Sequence, residues 1–184
     1  MILVVAATEF EAALVDGAPV RALVCGIGPV ESALAAARAI AADRPSAVLQ
    51  IGIAGAQTLP HASLALGSEA VYCDVLDPNA RLPRVERVEP DAALLAAARR
   101  ALPEAHVLPI ATTGRVGGGR ACEVEAMEGF GVLRAAALAG VPALEVRSIS
   151  NPVDEENRDN WRIEDALEAL RNALPPLLAE LDHA

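Results

Sequence analysis

Glu11, Glu128 and Asn151 are the side chains whose type and setting suit chemistry at a ligand cavity. Thr8-x-x-Glu11 follows the apolar run at 2–6 and has the form of a capping box, which satisfies free amides at a helix start. Glu128, within Val124-Glu125-Ala126-Met127-Glu128-Gly129, can favour a helix N-terminus through the macrodipole. Asn151, in Val146-Arg147-Ser148-Ile149-Ser150-Asn151-Pro152, is also an ordinary turn signal before proline. All three follow or adjoin predicted strands, and the carboxyl ends of strands form the ligand crevice of an open α/β sheet. A structural and a chemical reading therefore stand side by side for each.

Other chemistries are disfavoured. Gly26-Ile27-Gly28 joins a strand pattern to a helix pattern, where a dinucleotide fingerprint would sit, but its third glycine position holds Glu31. An acid there opposes a pyrophosphate. The turn reads equally as a tight connection or as a ligand-lining segment. All 15 basic residues are arginine, so no Walker lysine exists. No G-x-S-x-G elbow occurs, and His61, His106 and His183 are isolated. We expect neither metal nor organic cofactor.

The elements that must position these residues follow from composition and period. The chain has 184 residues, 53% hydrophobic and 22% charged, with a formal net charge of -10. That excludes a disordered chain and argues against a nucleic-acid partner, since no basic run stands out. Cys25, Cys73 and Cys122 form neither a disulfide framework nor a metal spacing, which points to a reducing cytoplasm. No apolar run approaches 18 residues, so no membrane span is expected. Strands are predicted at 2–6, 20–25, 47–52, 69–75, 107–112 and 143–149. Pro29 starts a predicted helix to about 42, with Val30, Ala33, Leu34, Ala37, Ile40 and Ala41 as its apolar face. Asp91 caps a second, with Leu94, Leu95, Ala98 and Leu102 inward. A third covers about 131–139. The last begins near Trp161, and Pro175-Pro176 is expected to kink or interrupt it. Residues 76–90 read as irregular and 114–120 as a glycine-rich loop. Alternating strands and helices predict an α/β fold: a three-layer αβα sandwich around a central mixed, mostly parallel sheet, in a single domain over 1–184.

Five segments in order resemble the nucleoside phosphorylase/nucleosidase superfamily, and within it the methylthioadenosine/S-adenosylhomocysteine nucleosidases and futalosine hydrolases. They are Ala6-Ala7-Thr8-Glu9-Phe10-Glu11, Gly26-Ile27-Gly28-Pro29-Val30, Ile51-Gly52-Ile53-Ala54-Gly55-Ala56, Val124-Glu125-Ala126-Met127-Glu128-Gly129 and Glu145-Val146-Arg147-Ser148-Ile149-Ser150-Asn151. The resemblance implies that Glu11 activates the attacking water, that Glu128 holds the ribose hydroxyls and that Met127 packs beside the ribose. Ala54 and Gly55 resemble the edge of the purine pocket, and Ile27 the apolar wall near the ribose. Asn151 stands where nucleosidases acting on adenine nucleosides have aspartate. The loop at 113–119 falls where the family has a purine-stacking aromatic, and offers Arg115 and Val116 instead.

The implied reaction breaks a ribose–purine bond through an oxocarbenium-like transition state. A carboxylate orients water and stabilises the sugar's positive charge. The leaving purine needs a donor at N7. An asparagine amide can donate to N7 or to a 6-oxo group but cannot act as an acid. That favours a 6-oxopurine nucleoside, and the resemblance then implies futalosine cleaved to hypoxanthine and dehypoxanthine futalosine, a step of menaquinone biosynthesis. Arg115, Arg120 and Arg158 are candidates, by charge alone, for the carboxylate at the far end of that substrate. Family members generally form homo-oligomers, so a dimer or larger assembly is expected. An adenine-directed nucleosidase, a phosphorylase and a non-catalytic nucleoside-binding domain are the alternatives.

Overall fold

A computed structural model describes residues 1–75, 83–119 and 121–183. The elements in order are β1 (Ile2–Ala6), α1 (Glu9–Ala12), β2 (Arg21–Val24), α2 (Pro29–Asp43), β3 (Ala47–Ala56), β4 (Leu64–Tyr72), β5 (Arg87–Val88), α3 (Ala92–Ala101), β6 (His106–Thr112), β7 (Val124–Ala126), α4 (Gly129–Ala139), β8 (Ala143–Pro152) and α5 (Ile163–Leu181). The strands run in the order β2-β1-β3-β7-β6-β4-β5, and β8 pairs with both β3 and β4. Pairs β1–β2, β1–β3, β3–β8, β4–β6 and β6–β7 are parallel, whereas β3–β7, β4–β5 and β4–β8 are antiparallel. This is the expected mixed, mostly parallel sheet.

β1 and β3 are almost continuously apolar because helices cover both faces. On one face Ile2, Val4, Leu49, Ile51, Leu144 and Val146 pack with Leu94 and Ala97 of α3 and with Leu170, Leu174 and Leu177 of α5. On the other, Leu3, Val5 and Val48 pack with Ala36, Ala39 and Ile40 of α2 and with Val132, Leu133 and Ala136 of α4. The three-layer arrangement follows.

Several sequence expectations change. The buried face of α2 is Ser32, Ala36, Ala39 and Ile40, whereas Val30 and Leu34 are exposed. Small residues decide it: Gly131 of α4 lies so near Pro29 and Ser32 that a Cβ there would overlap them. Helix α5 runs through Pro175 and Pro176 without interruption. Both prolines lie on its exposed side, so the carbonyls they leave without an N–H can face water. β4 begins at Leu64 rather than 69, and the short strands β5 and β7 were not foreseen. Part of the expected irregular stretch, 76–82, lies outside the described residues, as does Arg120. Asp91 does cap α3, accepting from the amides of Ala93 and Leu94 at 2.9 and 3.0 Å. Among the described residues, no helix is long and apolar enough to cross a membrane.

Candidate active site

At the carboxyl ends of β1, β3 and β8 opens a cavity of about 450 Å³. Glu11, Ile27, Ala54, Gly55, Val116, Met127, Glu128 and Asn151 all line it. These eight residues, 140 positions apart at their extremes Glu11 and Asn151, thus meet at one sheet end.

Glu11 is buried, 5% exposed, in the single turn α1 that follows β1. The capping box exists: the Glu11 amide donates to Thr8 Oγ1, while Glu11 Oε2 accepts from the Thr8 amide at 3.0 Å and from its hydroxyl at 2.8 Å. Oε1 accepts from the amide of Ile53 at 3.0 Å. A carboxylate offers about four lone-pair sites, and three are occupied. One acceptor position remains, on a side chain that lines the cavity. Capping and a chemical role are therefore compatible in the same residue.

Glu128 precedes α4 but makes no side-chain cap, so the helix-terminus reading does not describe its carboxylate. Its Oε1 accepts from the Gly28 amide at 3.1 Å, and its Oε2 accepts from Arg147 Nη2 at 3.2 Å. Gly26 and Gly28 both have positive φ, 80° and 100°, and this turn aims the Gly28 amide at Glu128. The Gly-Ile-Gly turn is thus both a tight connection and, through Ile27, a cavity wall.

Arg147 is the main residue that sequence reasoning missed. It is 1% exposed, and its Nε donates to Glu145 Oε1 at 2.9 Å. Burial alone would favour losing its proton, but the acidic side chains around it outweigh that and hold the guanidinium charged. Gly52 leaves the room required: a Cβ there would overlap both Arg147 and the Glu11 carboxylate. The available signal was two charged residues, Glu145 and Arg147, alternating with the apolar Leu144 and Val146 in a predicted strand. Nearby, burial pushes the Cys25 thiol up to about 12, which makes it unreactive.

Asn151 lies where the β3–β8 register shifts: Ala54 pairs with Ile149, and Gly55 with Asn151. Ser150 is the extra residue. Neighbours in a regular strand point to opposite faces, but a bulge re-aims side chains, and Ser150 and Asn151 both line the cavity. The Ser150 hydroxyl donates to Asn151 Oδ1 at 2.7 Å, and Asn151 Nδ2 donates to the Pro152 carbonyl at 2.8 Å. These bonds fix which way the amide faces and leave one Nδ2 hydrogen. A Cβ on Gly55 would come within 3.1 Å of that nitrogen.

The walls are largely apolar. Val116 sits in the glycine-rich loop, which Glu125 pins by accepting from the amides of Gly117 and Gly119 at 2.7 and 2.5 Å. Asp74 holds the same loop through the Thr113 hydroxyl and the Gly114 amide. Phe10, Trp161, Ile163 and Leu167 close the outer part. Arg158 lines this part too, 5.4 Å from the Trp161 ring centre. Arg115 instead lines a smaller cavity, of about 270 Å³, with Asp154 and Glu156. Trp161 and Phe10 are aromatics that sequence reasoning did not assign to the site. Among the described residues, no cluster of three His, Cys, Asp or Glu side chains could hold a metal.

Known proteins bear on this geometry. A 58-residue stretch is 55% identical to futalosine hydrolase of Streptomyces coelicolor, covering 32% of this chain and 25% of that protein. A 57-residue stretch is 42% identical to futalosine hydrolase of Thermus thermophilus, covering 31% of this chain and 25% of that protein. The matched stretches thus span about a quarter of each curated relative. Among solved structures, a methylthioadenosine/S-adenosylhomocysteine nucleosidase of Colwellia psychrerythraea, in complex with adenine, superposes with a TM-score of 0.88 at 23% identity, over 98% of this chain and 95% of that one. A futalosine hydrolase mutant of Helicobacter pylori gives 0.87 at 22%, over 98% and 99%. These two likenesses show the shared fold. The family model of the Phosphorylase superfamily matches residues 4–180, nearly the whole chain, and so the chain belongs to that superfamily.

Proposed function

We propose that the cavity hydrolyses the N-glycosidic bond of a purine nucleoside, with futalosine as the substrate and hypoxanthine as the leaving base. The observation that carries this is Glu11: a buried carboxylate with three acceptor positions filled and one left, lining a cavity that Glu128 and Asn151 share. Water bound at the open position gives its proton to Glu11 as its oxygen attacks C1′ of the ribose. The C1′–N9 bond breaks, and its electron pair leaves with the purine. Glu128 accepts from the ribose hydroxyls, and those bonds strengthen as the sugar gains positive charge. The free Nδ2 hydrogen of Asn151 is donated to N7 or to the 6-oxo group, where negative charge develops. Met127 and Ile27 pack against the ribose, and Ala54, Gly55 and Val116 flank the purine. The relatives' names support the choice of futalosine.

Phosphorolysis would need a cation free to hold phosphate. Arg147 is the arginine beside Glu11, and its Nε and Nη2 already serve carboxylates. An adenine-directed nucleosidase is the second reading, since one neighbour of the same fold holds adenine.

The test incubates the protein with futalosine, inosine and methylthioadenosine, with and without phosphate, and follows free base by chromatography. Futalosine cleaved fastest and without phosphate is the expected result. Release that requires phosphate makes the protein a phosphorylase, and no release at all makes it a binding domain.

We further propose that the chain works in the cytoplasm as a single domain over 1–184 and as a homo-oligomer. Phe10 is 80% exposed and lines the cavity, and Ile27, Val30 and Leu34 are exposed at and before the start of α2. Exposed apolar surface of this kind marks an interface. Sedimentation should show a dimer or larger species.

A further inference from the structure

Glu145 does not line the cavity, yet the buried charges that do line it depend on its placement. It has no exposed surface. Its Oε1 accepts from Arg147 Nε at 2.9 Å, while its Oε2 is buried with no partner among the described residues. Oε1 of Gln50 is equally buried and unpartnered. Gln50 and Glu145 are register partners across β3 and β8, and partners in a parallel pair project from the same face. Two acceptors on paired residues, each without a donor, are costly to bury. One proton on the Glu145 carboxyl satisfies both, its O–H donating to the Gln50 amide oxygen. Burial pushes the carboxyl in that direction, against the pull of Arg147.

The fold also reserves space for this group. A Cβ built on Gly129, the first residue of α4, would overlap both oxygens of the Glu145 carboxyl. Gly129 follows Glu128 directly, so the residue that makes room for Glu145 also sets where the Glu128 backbone turns into its helix.

We propose that Glu145 is a positioning residue: a neutral acid that accepts the Arg147 Nε–H and thereby aims the guanidinium's other N–H groups at Glu128 and toward Glu11. Neutrality leaves two carboxylates, Glu11 and Glu128, against one guanidinium in the buried cluster. Oriented this way, Arg147 keeps the Glu128 carboxylate still while the ribose hydroxyls bind to it. The catalytic part of this inference rests on the hydrolase reading above.

The test compares Glu145→Gln with Glu145→Leu. The glutamine can accept from Arg147 Nε and donate to Gln50, reproducing the neutral acid without a titratable proton. It should keep kcat/KM for futalosine within about threefold of wild type. The leucine fills a similar volume but offers no acceptor, and should lose about 10–100-fold, since small misplacements of aligned groups cost on this scale. A melting curve of each variant checks the fold. The Arg147 Nε–H signal in a 15N–1H spectrum supplies a readout independent of turnover: slow to exchange in wild type and Glu145→Gln, fast in Glu145→Leu. A Glu145→Gln protein as impaired as Glu145→Leu overturns the neutral-acid role. So does a Glu145→Leu protein with wild-type turnover, or one whose Arg147 signal is still protected. Should wild type release no base from any nucleoside, the hydrolase reading falls, and the arginine signal still decides the positioning.

Discussion

The two faces of the sheet are built for different purposes. Toward α3 and α5, β8 presents Leu144 and Val146, which pack among apolar side chains of both helices. Toward α2 and α4 the same strand presents Glu145 and Arg147, and β3 places Gln50 and Gly52 opposite them. One face resembles an ordinary core, stabilised by area removed from water. The other carries a polar seam from Gln50 to Glu11 that adds little net stability, because desolvating buried ions offsets most of their attraction. Losing one partner of that seam is costly all the same. The contrast separates residues that hold the fold from residues that aim the site.

The sharpest break in this comparison is Glu11→Gln. Losing a general base costs about 10²–10⁴-fold in turnover. The substitution also turns an amide nitrogen toward either Thr8 or Ile53, both of which donate to the present carboxylate. A drop in melting temperature should therefore accompany the loss of base release. Near-normal turnover would leave Glu11 as a helix cap only. On the apolar face, Leu174→Ala should cost about 2–5 kcal/mol in denaturant unfolding, while kcat measured on folded protein stays unchanged. If kcat falls with stability, the faces are not separable.

Asn151→Asp should cost the 6-oxopurine reaction about 1.5–3 kcal/mol, or 10-fold to 100-fold in rate. The new carboxyl would face the Pro152 carbonyl, to which the amide now donates, and could meet it only by holding a proton. The readout is the ratio of kcat/KM for futalosine to that for methylthioadenosine, expected to fall. An unchanged ratio would leave Asn151 as a turn residue that does not read the base. The smallest effect is expected for Thr8→Ala, which removes the cap on α1 at about 1 kcal/mol without a comparable change in turnover. A larger loss of turnover than of stability would show that the Thr8 hydroxyl also tunes Glu11.

What could be read along the chain was whatever depends on near neighbours. Apolar runs bounded by glycine and proline marked most strands, Asp91 announced its cap, and Thr8-x-x-Glu11 announced a box that exists. Periodicity misled at α2, because Val30 and Leu34 form an apolar stripe that is left exposed among the described residues. The prolines of α5 misled because a helix tolerates them where the released carbonyls can reach water.

By itself, then, the sequence determined the alternation of strands and helices, the mixed α/β class and, through the family resemblance, many of the side chains that end up around one cavity. Only the tertiary structure decided how those side chains are aimed and charged. The bulge that turns Ser150 and Asn151 the same way depends on the register between β3 and β8. The burial of Arg147 among Glu145, Glu128 and Glu11 depends on room left at Gly52 and Gly129, where a Cβ would overlap Arg147 and the Glu11 carboxylate or the Glu145 carboxyl. Charge state and orientation are set by distance and desolvation, quantities that spacing along a chain does not carry.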